Sequence, residues 1–301
     1  MIGLGDILAA LNILEKLGKY RSTLRRASTA KEENVASRFV RLFESHGVHR
    51  NQIPRFFGHG LSVKDVQDEV SLLSKLEESM LDDACKLFAV RREWLDGAEP
   101  TVYSCHDFYK RPQDVASFLK LLKDANPDGC LEGVLIAPME LEGPALLVLS
   151  EVIGAVGERA IHRYHLCNNW HYEYWKSRAY LAACIAISWR NAVYINGRFA
   201  AKRKIERIAY GAVLLGSSDG DLSIPLGRRW DPEDMVLRPD LFLKGIDSEE
   251  NKFGIDSALK LWLTLEGQGY MATGLAMYRP TEVRQRFQQE LDKLHGAEQG
   301  C

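Results

Sequence analysis

The spacing of apolar residues changes once along this chain, and that change fixes what it can fold into. From Val35 to Leu95 the pattern is helical. Val35, Phe39, Leu42 and Phe43 fall at three- and four-residue steps, as do Met80, Ala84, Leu87 and Phe88. Beyond Pro100 the period shortens. GVLIA at 133–137 and ALLVLSEVI at 145–153 are nearly unbroken apolar runs, and AIHRYHL at 160–166 alternates as a half-buried strand does. Helical spacing returns at 170–192, 200–209, 256–265 and 282–294. VYINGRF at 193–199 reads as strand or turn, and a Gly-, Ser- and Asp-rich loop spans 216–227. This order predicts an α+β protein with an all-α N-terminal bundle and a larger mixed α/β domain. The expected divisions are a basic arm at 1–34, a helical domain at 35–100, and an α+β domain at 101–301 that senses a ligand or dimerises.

Charge narrows the partners. The 301 residues carry 39 Lys and Arg against 41 Asp and Glu, a net charge of −2, so any attraction to a polyanion must be local. One segment supplies it. Lys16, Lys19, Arg21, Arg25, Arg26 and Lys31 occur with no acid between them, partly on a helical pattern that runs from Ile7 to Leu24. This is either a solvated helix face with its linker, or an arm whose cations displace counterions from a phosphate backbone. Cys85, Cys105, Cys130, Cys167, Cys184 and Cys301 form no CxxC pair and suggest reduced thiols. The apolar start is interrupted by Asp6 and lacks a basic n-region. No signal peptide, membrane span or membrane partner is expected, and the expected compartment is the cytoplasm.

The helical segment has more specific content. RFVRLFESHGV forms a first helix, and RNQIPRFFG a short second one ending at Gly58. Ser62, with Asp65 three residues on, caps a third helix from Ser62 to Leu73, with Leu61 and Val66 at staple positions. A fourth runs from Met80 to Val90. The fifth, Arg92 to Leu95, buries a Trp-Leu pair and stops at Gly97. Through DACKLFAVRREWLDG and the two helices that begin the segment, residues 36–97 resemble the helix-turn-helix domain of the Cro/CI-like (XRE) repressor family. The resemblance implies a DNA-binding transcriptional regulator that acts as a dimer on double-stranded DNA, with the third helix in the major groove. Lys19, Arg21, Arg25, Arg26 and Lys31 would then meet phosphates. His49, Arg50, Asn51, Gln52, Arg55 and Lys64 would meet the duplex around helices two and three, with His46 nearby. Asn51 and Gln52 suit bidentate contacts to adenine, or serve as caps and surface polar groups. From Ser62 to Asp83, seven acids stand against Lys64 and Lys75. That acidity opens a second reading, a non-catalytic protein-interaction module that reuses the fold for a basic partner.

In the C-terminal domain, WHYEYW at 170–175 concentrates aromatic residues beside cations. Arg163, His165, Trp170, Tyr174 and Arg178 are the expected binding residues for a small-molecule or protein effector, with plain core packing as the alternative. His162, His165, Cys167 and His171 lie close in sequence, but HxxHxC is not an established ligand spacing, and no metal or cofactor is predicted. No P-loop, GxSxG, HExxH or strand-linked GxGxxG is present, so no enzymatic activity is expected.

Overall fold

The computed structural model describes residues 33–216, 222, 226–246, 254–275 and 279–298. The helical pattern at 7–24, the basic segment at 16–31 and most of the 216–227 loop lie outside them. The fold is α+β. Helices α1 (Val35–Ser45), α2 (Ile53–Phe57), α3 (Val63–Gln67), α4 (Glu69–Leu73), α5 (Glu78–Phe88) and α6 (Arg92–Leu95) come first, with a 3-10 turn at Arg50–Gln52. Then follow β1 (Cys105–His106), α7 (Gln113–Ala125), β2 (Leu131–Pro138), β3 (Pro144–Val156), β4 (Arg159–His171), α8 (Trp175–Arg190), β5 (Ile195–Ala200) and α9 (Lys202–Ile208). The described chain ends with β6 (Arg229–Trp230), α10 (Asp234–Leu237), α11 (Pro239–Leu243), α12 (Gly254–Gly267) and α13 (Pro280–Glu298). No described helix is long and apolar enough to cross a membrane.

Among the described residues six strands form one mixed sheet in the order β1-β4-β3-β2-β5-β6. The long central strands β2, β3 and β4 pair antiparallel, while β1 joins β4 and β5 joins β2 in parallel. Alternation along these strands sends side chains to two separate cores. Leu135, Leu147, Leu149 and Cys167 face α7, α8, α12 and α13. The sequence YLAACIAIS makes α8 apolar all round, and it is buried on every side, as such a helix must be.

The opposite face is covered by the N-terminal helices. Ile136, Leu146, Val148, Ile161, Tyr164 and Leu166 of the sheet share one core with Phe39, Phe43, Phe88 and Trp94. The approach is close. A Cβ at Gly154 on β3 would stand 2.9 Å from Phe56 Cε2 of α2. His46, just past α1, lies against Phe88 and stacks on Tyr164, with ring centroids 4.3 and 5.7 Å away.

The structure departs from the sequence reading at several places. The helix expected at 62–73 is broken: Asp68 is extended, with φ −120° and ψ 126°, and its carboxylate caps α4 by accepting from the Ser71 N–H. A short side chain that bonds its own backbone competes with helix continuation. Trp170 belongs to β4, not to the following helix, because it pairs with Ala145 across the sheet. The amphipathic α7, with Val115, Leu119 and Leu122 inward, was not anticipated; nor were the short β1, β6, α10 and α11. In the last case too few residues carry a period.

Gly197 on β5 shows how tightly the far edge closes. A Cβ there would sit 2.4 Å from the Trp230 carbonyl oxygen of β6. Gly197→Ala is therefore expected to cost about 1–3 kcal/mol by overpacking, read as a lower thermal midpoint.

Candidate functional site

The helix-turn-helix face is built by local capping. His49 and Gln52 close the 3-10 turn: the His49 N–H donates to Gln52 Oε1 at 3.0 Å, and the Asn51 N–H donates to His49 Nδ1 at 3.3 Å. This places Asn51 and Arg55 at the surface beside α3. There Gln67 Nε2 donates to Asn51 Oδ1, joining the turn to α3. Lys64 is exposed on the same short helix, and among the described residues neither it nor Arg55 is recorded in an ion pair. Arg50 lies 3.6 Å from Glu44. Gln52 is thus engaged as a cap, whereas Asn51, Gln67, Lys64 and Arg55 present polar atoms outward. Lys19, Arg21, Arg25, Arg26 and Lys31 lie outside the described residues. His46 is not on this face. It is buried, its Nδ1–H donates to Leu42 O at 2.7 Å, and its Nε2 lies 3.4 Å from the Tyr103 hydroxyl. Burial holds its imidazole down at about 4, against the partial offset of the Leu42 carbonyl.

The acids of this region are turned to local tasks. Asp65 accepts from both the N–H and the hydroxyl of Ser62, at 2.8 and 2.6 Å, in a reciprocal capping box. These bonds from Ser62 hold its carboxyl below the usual range. Glu69 accepts from Ser37 Oγ at 2.7 Å and Asn34 Nδ2 at 3.2 Å. Glu78, Asp82 and Asp96 converge on the Arg92 guanidinium at 2.5, 2.6 and 2.8 Å. The same surface also carries Val63, Val70 and Leu73, exposed at 52%, 74% and 43%.

The five residues expected to bind an effector do not converge. Arg163 and His165 meet at Glu151, which is 2% exposed. His165 Nε2–H donates to Glu151 Oε1 at 2.7 Å, Arg163 Nε donates to the same oxygen, and Asn126 Nδ2 donates to Oε2 at 3.1 Å. Burial alone would raise the Glu151 carboxyl, but the donors from His165, Arg163 and Asn126 override it and hold the group at about 2. Trp170 is core, its indole N–H donating to Cys167 O at 3.1 Å. Arg178 is fully buried. It donates to the Tyr172 carbonyl at 2.7 and 3.0 Å, to Phe242 O at 2.9 Å and to Lys244 O at 3.2 Å, and lies 3.6 Å from the Tyr172 ring centroid. It pins α8 to α11. Tyr174 precedes α8 beside Trp175, with ring centroids 5.9 Å apart. Glu151 was missed by the sequence reading, although a carboxylate inside ALLVLSEVI is itself the signal that a buried charge needs a partner. Among the described residues no group of three or more His, Cys, Asp or Glu is placed to hold a metal ion.

Comparison with protein-family models, with curated proteins and with solved structures returns no match.

Proposed function

We propose that the chain is a cytoplasmic DNA-binding transcriptional regulator that works as a dimer. The observation that carries this reading is the Asn51–Gln67 amide pair beside Lys64 and Arg55, at the open end of a helix-turn-helix whose nearest carboxylates, Asp65, Asp68 and Glu69, are engaged as caps and in local hydrogen bonds. Side-chain amides suit adenine edges in the major groove. The basic segment at 16–31 would add phosphate contacts. The helices share a core with the sheet, so a change in the sheet unit would shift the spacing of two reading heads on two half-sites.

The test is binding of the full chain to genomic fragments at low and moderate salt. With six or more phosphate contacts, affinity is expected to fall about 10³-fold between roughly 50 and 200 mM salt. Arg25→Ala with Arg26→Ala should weaken binding on every sequence and flatten the salt slope. Asn51→Ala with Gln67→Ala should cost about 1–3 kcal/mol on the preferred fragment alone. Absence of any complex at low salt removes the proposal.

A second reading rests on Val63, Val70 and Leu73, exposed among the acids of α3 to α5. An apolar patch with an acidic rim suits a basic protein partner better than a phosphate backbone. Recovery of a stoichiometric protein, lost on Val70→Asp and free of nucleic acid, would favour it.

A further inference from the structure

Where β4 runs past the short β1, its edge is covered by the C-terminal half of α5 and the segment leading to Ser104. Between them lies a cleft of about 420 Å³, within the size range of small-molecule sites. Its wall contains two polar side chains more than nine-tenths buried, Tyr164 and His165, each 8% exposed. His165 is fixed by its Nε2–H donation to Glu151, which leaves Nδ1 as the ring's open nitrogen. Among the described residues no hydrogen bond is recorded to Nδ1 of His165, to the Tyr164 hydroxyl or to the His106 imidazole. The His106 ring also lines the cleft, its centroid 6.2 Å from that of His165. A buried polar group without a partner is costly, and so points to something that completes it.

The chemistry of the lining is one-sided. Tyr164, Ser104, His106, His165, Lys86 and Arg92 can all donate hydrogen bonds. The lining carboxylate, Asp82, already accepts from Arg92 at 2.6 Å. Cys85 adds no charge, because burial pushes its thiol up to about 12. The complementary ligand is therefore rich in acceptors.

We propose that this cleft binds a small organic oxyanion, a carboxylate or a phosphate, held by the Tyr164 hydroxyl and the His106 and His165 rings between α5 and the edge of β4. Because the cleft has walls from both the helical segment and the sheet, the bound group ties the two together. This holds whether or not the chain binds nucleic acid.

The experiment is calorimetric titration of the full chain, free of nucleic acid, with inorganic phosphate and separately with succinate. Saturable binding of at least one is expected, and which one binds identifies the headgroup. Tyr164→Phe and His106→Gln should each weaken it about tenfold, the usual loss for a hydrogen bond to a charged group. Tyr164→Phe should leave the thermal midpoint of the free protein unchanged, since the hydroxyl has no recorded partner in the fold. Absence of saturable heat from both titrants, or binding that survives both substitutions unaltered, overturns the proposal.

Discussion

Glu151→Ala is expected to lower folding stability by about 3–5 kcal/mol, the usual result of breaking a buried ionic cluster by removing one partner. The carboxylate is 2% exposed and accepts from Arg163, His165 and Asn126. Alanine would strand a guanidinium and an imidazole in the space it leaves. The same group gives an acid signature. Its carboxyl is held at about 2 against an ordinary 4.5, a depressed value, so the stability it contributes is present above pH 4.5 and is lost as pH falls through 2. The difference corresponds to about 3 kcal/mol. His46 acts earlier on the same descent. Its imidazole is held at about 4 against 6.5, so the unfolded chain takes up that proton first, and stability is lost from pH 6.5 down through 4. Urea midpoints from about pH 7 to about pH 3 should show both losses in the native protein. Glu151→Ala should retain the first and lack the second. An alanine variant within about 1 kcal/mol of the native protein at pH 7 would show that the cluster contributes little.

Phe43→Ala is expected to cost about 3–5 kcal/mol and to destabilise the sheet along with the helices. The Phe43 ring is fully buried, with centroids 4.9, 5.1 and 4.9 Å from those of Phe39, Phe57 and Phe88. Phe88 in turn lies against His46, which stacks on Tyr164 of the sheet. A cavity at Phe43 therefore opens in a core that both layers share. Amide exchange in β3 should accelerate together with exchange in α1 and α5, in one cooperative transition. Exchange that quickens in α1 and α5 while β3 keeps its native protection would show that the helical segment unfolds as a unit of its own.

Much of the helical segment was legible because its signals are local. The Ser62 cap, the inward Phe39, Phe43, Phe88 and Trp94, and the stop at Gly97 each depend on residues within a turn or two. The capping box at Ser62 and Asp65 was likewise visible as a spacing. The break at Asp68 was not, because helical spacing runs through it unchanged and only the Asp68–Ser71 bond interrupts it. The candidate ligand site was legible only in part. Arg163 and His165 lie two apart on one strand and so share a face, but their partner Glu151 is on the neighbouring strand and Asn126 at the end of α7. Arg178 reads from sequence as a cation available to an anion. Its four bonds to carbonyls of Tyr172, Phe242 and Lys244 come from segments that meet only in three dimensions.

By itself the sequence determined the class of each element, the α+β order and the repressor-like spacing of the first helices, since periodicity and capping act over a few residues. Only the tertiary structure decided that the helices lay their core on one face of the sheet, that Glu151 gathers His165 and Arg163, and that a donor-lined cleft opens beside them. Those features depend on which strands pair and which faces meet. Nothing in the local spacing of residues encodes the pairing of a carboxylate with an imidazole 14 residues away across two strands.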